Sequence, residues 1–205
     1  MTRLVTILTD GFADWEIALL TGAGRGFYGI DVKHAAPGGT PLRSAGGLKV
    51  TPDLAAEWID LDTADALVVC GGTLWQTERA PDIADLLRQA RQRDVLVAGI
   101  CDGTRALARA GLLDGIGHTS NSLETLLETG YAGRANYWDV PHAVASDRVV
   151  TAPGTAPVSF MVEILEGLGL GDGNLAFYRG LLAAEHAGSL PSAAGRLPLD
   201  ASQQG

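Results

Sequence analysis

Cys101 stands in the pattern Gly99-Ile100-Cys101-Asp102-Gly103, with an apolar run, Leu96 to Ile100, before it and helix formers, Thr104 to Ala110, behind it. A nucleophile between two glycines, where a buried strand turns at once into a helix, is the logic of a nucleophile elbow. The tight turn pushes the side chain out over the C-terminal edge of a sheet. The chemistry on offer is attack by sulfur on an electrophilic carbon. The thiolate is the attacking species, and a free cysteine of pKa about 8.5 is only a few per cent ionised at neutral pH. The N-terminus of the following helix favours an anion by about 0.3–1 kcal/mol, and a carboxylate next door, Asp102, opposes it by a similar amount. Either another group assists the thiol, or Cys101 is a small inert residue closing a strand.

Three stretches supply candidates for that assistance. Glu16 follows Asp14 and Trp15 near the start of a helical segment. In a partly apolar site its carboxyl keeps a proton and donates a hydrogen bond; on a solvated helix end it is a partner of the helix dipole. Gly71-Gly72 ends a second apolar strand. The backbone N–H groups of Gly72 and Asp102 can converge beside the sulfur as an oxyanion hole, where each donor is worth roughly 3–4 kcal/mol, or the glycines form a tight turn and nothing more. His118 comes shortly after the elbow helix and can reach the thiol, or is a satisfied polar residue near the rim. The other histidines, His34, His142 and His186, are scattered without metal-ligand spacing, so neither a metal nor another cofactor is expected. Trp75, Tyr137 and Trp138 either wall a pocket or belong to the core.

The elements that must position these groups alternate between strands and helices. Leu4–Thr9 reads as a first buried strand, with Asp14 capping a helix through Ile17, Leu19 and Leu20. Gly22-Ala23-Gly24-Arg25-Gly26 reads as the helix stop and a loop. It precedes a strand, Ile30 to Ala35, rather than following one, which is the wrong order for dinucleotide binding. Pro37-Gly38-Gly39 and Ala45-Gly46-Gly47 punctuate a hairpin-like excursion with Leu48–Val50 as an edge strand, and Leu54–Trp58 suggests a helical turn. Ala66–Cys70 is a buried strand, and Pro81–Arg93 carries Ile83, Leu86, Leu87 and Ala90 on one helical face. Asn121-x-x-Glu124 opens a helix as a capping box. Two strands, within Asp139–Ala145 and Arg148–Thr151, flank a Ser146-Asp147 turn. Thr155 caps a core helix facing inward with Val158, Met161, Val162, Leu165 and Leu168. After the Gly169–Gly173 break, Leu175–Ala187 is a further helix and Gly188–Gly205 a polar tail. This alternation predicts a layered α/β fold with a mostly parallel sheet and no internal repeat.

The bulk numbers narrow the partners. The chain has 205 residues, 46% hydrophobic, with a formal net charge of −9. That charge argues against nucleic acid or an anionic membrane. No stretch reaches the ~20 apolar residues of a membrane span, and the start is too short in apolar residues for a signal peptide. Two cysteines, Cys70 and Cys101, both on apolar strand-like segments, suit a reducing cytoplasm.

Taken together, several strings resemble the DJ-1/PfpI superfamily, a branch of the class I glutamine-amidotransferase-like fold. They are Asp14-Trp15-Glu16, Val69-Cys70-Gly71-Gly72, the elbow at 99–103, Ala110-Gly111-Leu112-Leu113-Asp114-Gly115 and Thr151-Ala152-Pro153-Gly154-Thr155. The resemblance covers Leu4 to Gly169. It implies a flavodoxin-like three-layer α/β/α sandwich over residues 1–170, with 171–205 packed on or trailing it, and a homodimer. It also implies that Cys101 is the reactive cysteine and Glu16 a neighbouring, often protonated, carboxyl. Two departures stand out. Many members have histidine where this chain has Asn121, and His118, three residues earlier, points to the other face of an extended segment. The His-x-Glu of true glutamine amidotransferases is absent, which argues against ammonia-channelling amidotransfer. The implied activity is that of an intracellular protease/amidase or a glyoxalase/deglycase working on a small molecule. The alternative is a non-catalytic, redox-sensing stress protein with an oxidisable Cys101.

Overall fold

Parallel strands covered on both faces read as unbroken apolar runs, and two such runs, Ala66–Val69 and Leu96–Ile100, are buried from end to end. They lie side by side near the middle of a seven-stranded sheet. The structure, a computed structural model, describes residues 1–187. The polar tail expected over Gly188–Gly205 lies outside the described residues.

In chain order the elements are β1 (Arg3–Ile7), α1 (Asp14–Tyr28), β2 (Asp31–Ala36), β3 (Leu42–Arg43), β4 (Lys49–Val50), β5 (Leu54–Ala55), β6 (Ala66–Val69), α2 (Ala84–Gln92), β7 (Leu96–Ile100), α3 (Thr104–Arg109), α4 (Leu123–Leu127), β8 (Val144–Ser146), β9 (Val149–Ala152), α5 (Pro157–Gly167) and α6 (Gly173–Ala187). The sheet order is β5-β2-β1-β6-β7-β9-β8, parallel throughout except for β8 against β9. One face is covered by α1 and α5, through Ile17, Leu20, Phe160, Met161, Ile164 and Leu165. The other is covered by α2 and α3, through Leu87, Ala90, Ala106 and Leu107. This is a flavodoxin-like three-layer α/β/α sandwich.

Several local expectations need correction. The glycine run 22–26 does not stop the first helix: α1 continues to Tyr28. Ala23 and Gly24 are buried, and a Cβ on Gly24 would come within 3.2 Å of Ile30 Cδ1, so glycine there serves close packing. The stop is Gly29, left-handed at φ 63°, whose N–H returns to Gly24 O. Leu54–Trp58 divides into β5 and a 3₁₀ turn, Ala56–Trp58. The second helix starts at Ala84, not Pro81. The late hairpin turns at Asp147-Arg148, both at positive φ, as the twist of a two-residue β-turn demands. Thr155 does not cap α5; Ala156 holds the cap position without a side-chain bond, and Pro157 opens the helix, where its missing N–H leaves no gap. The short hairpin of β3 and β4 stays apart from the main sheet and braces the β1–α1 loop: Gly11 N–H donates to Arg43 O at 2.7 Å and Ala45 N–H to Phe12 O at 2.8 Å. Among the described residues no helix is long and apolar enough to cross a membrane.

Candidate active site

In open α/β sheets the groups that do chemistry gather beyond the carboxyl ends of the strands. Here β1, β6, β7 and β9 deliver, in the turns that follow them, Glu16, Gly71, Cys101 and Gly154 to one point.

Cys101 follows β7 directly and has φ 54°. A left-handed conformation at a non-glycine residue is strained by roughly 1–2 kcal/mol. The glycines of the elbow do not carry that strain; they allow close approach. A Cβ on Gly103 would collide with the Val69 carbonyl, and one on Gly99 would come within 2.9 Å of Leu107 Cδ1. The strain therefore sits on the reactive residue itself, where it turns the thiol out of the sheet into a half-buried position.

Glu16 lies in the first turn of α1, on the face that carries Ile17 and Leu20 into the core, and its side chain is fully buried. Oε2 accepts the Gly71 N–H at 2.8 Å, with Cys70 Sγ 3.8 Å away. Oε1 has no partner among the described residues. A Cβ on Gly71 would collide with Oε2 and come within 2.7 Å of Cys101 Cβ; one on Gly154 would lie 3.0 Å from Cys101 Sγ and 3.1 Å from Glu16 Oε1. The two glycines thus leave the space in which carboxyl and thiol meet. Burial pushes the Glu16 pKa up from 4.5 to about 7, against the nearby Cys101 thiol and the Gly71 N–H, which favour the carboxylate. Burial, and then the Glu16 charge, push the Cys101 thiol up to about 12, with the Asn121 hydrogen bond acting the other way. At neutral pH the pair gives up its first proton mainly from the carboxyl, and each group's affinity depends on the state of the other.

Asn121 is the residue at the site that the sequence reading placed elsewhere. Its Nδ2 donates to Cys101 Sγ at 3.1 Å, and its Oδ1 accepts the Gly154 N–H at 2.9 Å. It does not cap α4; Ser122 does, accepting from Thr125 N–H at 3.4 Å. The signal available in the sequence was that Asn121 occupies the place of the histidine many family members carry.

His118 is not brought to the sulfur. It is fully buried, with Nδ1–H donating to Ile116 O at 2.8 Å and Nε2 3.4 Å from the Tyr131 hydroxyl, between the edges of Tyr131 and Tyr137. Burial holds its pKa below the ordinary value, so the ring is a neutral member of the interior. Trp75 is likewise core, its Nε1–H donating to Cys70 O at 2.9 Å, whereas Trp138 is about half exposed and packs over Gly117. Asp102 is nearly buried, accepts from Gln76 Nε2 at 2.8 Å, and lies 4.0 Å from the sulfur. Its N–H opens the 3₁₀ turn 101–103, where a backbone donor has no partner inside the helix. Gly72 stands opposite Phe12 in an isolated antiparallel bridge held by Ala13 N–H donating to Gly71 O at 3.0 Å.

A flavodoxin-like sandwich with a strained cysteine beside a buried carboxyl defines a class, and comparison with known proteins identifies it. The DJ-1/PfpI family model matches residues 2–167, and the chain belongs to that family. The structure is similar to that of the DJ-1 superfamily protein Atu0886 from Agrobacterium tumefaciens, at 46% identity and TM-score 0.88 over 91% of this chain and 100% of that one. It is also similar to a ThiJ/PfpI family protein from Bacillus anthracis, at 29% identity and TM-score 0.82 over 90% and 91% of the two chains. Among curated proteins, the chain is 33% identical to the uncharacterized protease YoaZ of Bacillus subtilis over 62% of its length, a match that spans 61% of YoaZ. It is 29% identical to the glutathione-independent glyoxalase DJR-1.2 of Caenorhabditis elegans over 68% of this chain and 74% of that one.

Proposed function

We propose that the protein is a cysteine-dependent enzyme that adds Cys101 to a small electrophilic carbonyl, with Glu16 moving the proton. The observation that carries this reading is a fully buried carboxyl, one oxygen unpaired, beside a half-buried thiol. In the addition, the C–S bond forms from a sulfur electron pair and the carbonyl π pair moves onto oxygen. The thiol proton passes to the Glu16 carboxylate and from there to the new alkoxide, giving a neutral thiohemiacetal and restoring the carboxylate. A pKa near 7 leaves Glu16 partly ionised at neutral pH, so it can take the proton that sulfur gives up as the C–S bond forms and return it to the alkoxide. The N–H groups of Gly72 and Asp102 are the donors for the developing oxyanion.

A relative named as a glyoxalase favours 2-oxoaldehydes; the relative named as a protease favours amides. The addition step is common to both. Turnover of methylglyoxal and of a panel of small amides and peptides, measured for wild type and Cys101→Ser, tests the reading. Loss of turnover in the variant supports it and identifies the substrate class; undiminished turnover of whatever the wild type consumes overturns it.

A further inference from the structure

The amide of Asn121 has only one possible orientation. The Gly154 N–H is a donor, so the atom 2.9 Å from it is the carboxamide oxygen, and the atom 3.1 Å from Cys101 Sγ is the NH₂. A primary amide neither gains nor loses a proton near neutrality, so toward the sulfur Asn121 is a donor of fixed polarity. The segment that carries it is fastened to the elbow a second time. Thr104 Oγ1 donates to Cys101 O at 2.6 Å and lies 2.7 Å from Ser120 Oγ.

We propose that Asn121 is a positioning residue that favours the thiolate of Cys101 through its N–H, and that it leaves removal of the thiol proton to Glu16. The charged and titratable groups facing the sulfur are Glu16 from α1, Asp102 in the elbow and the Cys70 thiol after β6. Glu16 and Asp102 disfavour a second negative charge beside them, the Cys70 thiol is neutral, and the Asn121 amide is the side-chain donor that acts the other way. The buried imidazole of His118, engaged with Ile116 and Tyr131, takes no part. The inference rests on the reading of Cys101 as the reacting group, but its consequences appear without any substrate.

The test is the rate of Cys101 labelling by iodoacetamide between pH 5 and 10, in wild type, Asn121→Ala and Asn121→Asp, with an unfolding curve for each. Asn121 is exposed, and aspartate keeps the shape and the oxygen that meets Gly154 while replacing the donor with an anionic acceptor. Asn121→Ala is expected to slow labelling at pH 7.5 by about tenfold, the ordinary worth of a hydrogen bond to a charged group. Asn121→Asp is expected to slow it further. A merely structural role gives the opposite order, with aspartate near wild type and alanine worst. That order, or rates within twofold of wild type in both variants, overturns the proposal. If alanine does not fold, aspartate decides alone. Turnover by Cys101→Ser bears on the reaction and not on this order, so the two readings fail separately.

Discussion

Glu16 Oε2 accepts the Gly71 N–H at 2.8 Å, and this bond joins the first turn of α1 to the end of β6 through a carboxyl that water does not reach. The bond holds one oxygen and leaves the other free to face the sulfur.

The first prediction concerns stability against pH. The Glu16 pKa is about 7 in the folded chain against an ordinary 4.5, so the folded state binds the proton more tightly. Its contribution is complete below pH 4.5 and is lost as pH rises through 7, by up to about 3 kcal/mol. Glu16→Gln keeps an oxygen for Gly71 and removes the ionisation. Denaturant unfolding is expected to find the variant more stable than wild type at pH 8.5, and the difference gone or reversed at pH 5. Parallel pH profiles for the two proteins refute it.

The elbow strain gives a second. Cys101→Gly relieves the left-handed φ of 54°, whereas Cys101→Ala retains it. Glycine is expected to be the more stable of the two by about 1 kcal/mol, since the relief at a positive φ outweighs its extra chain entropy. Equal midpoints contradict a strained elbow.

Gly103 has φ −59°, an ordinary helical value, so only its closeness to the Val69 carbonyl demands glycine. Gly103→Ala is expected to destabilise by about 2–3 kcal/mol through forced displacement of β6 from the elbow. A loss under 0.5 kcal/mol removes the close-approach argument.

His118→Ala separates core from catalysis. It opens a cavity between Tyr131 and Tyr137 and leaves the Ile116 carbonyl without its donor, at a cost of about 2–4 kcal/mol. Cys101 labelling in the folded variant is expected to stay within twofold of wild type. A tenfold fall returns His118 to the site.

The two cysteines differ by environment. Cys70 is fully buried and its thiol is pushed well above the ordinary value, first by burial and then by the Glu16 charge. Iodoacetamide on the folded protein is expected to modify Cys101 and spare Cys70, with both modified in denaturant; mass spectrometry of the peptides reads this directly. Equal labelling of both in the folded state contradicts it.

The layered architecture was legible because its signals are local and redundant. Buried strands are apolar runs, and the turn after β7 announces itself by glycine, cysteine and glycine. At three of the misread positions a contact outside the local pattern decided. Gly22 to Gly26 carries a strong local breaker signal, yet the helix continues because Ala23 and Gly24 face the core and Ile30 needs the space. Asn121 and Ser122 are both good caps, and local preference cannot choose between them. The choice falls to Ser122 because Asn121 is held by the sulfur and Gly154, 20 and 33 residues away. His118 is three residues from Asn121, but its direction depends on Tyr131 and Tyr137, which no spacing rule connects to it.

The links Cys101 O to Thr104 Oγ1, Thr104 Oγ1 to Ser120 Oγ, along the backbone to Asn121, and Asn121 Nδ2 back to Cys101 Sγ make a closed circuit. A ring of bonds resists shear where an open chain does not, so the sulfur cannot be displaced without straining the segment 120–121 as well. Thermal fluctuation of the attacking atom is thereby harnessed to that of a neighbouring stretch of chain. A single hydroxyl lost from the circuit, at Thr104 or at Ser120, opens the ring and leaves the sulfur tied to this segment through the Asn121 amide alone.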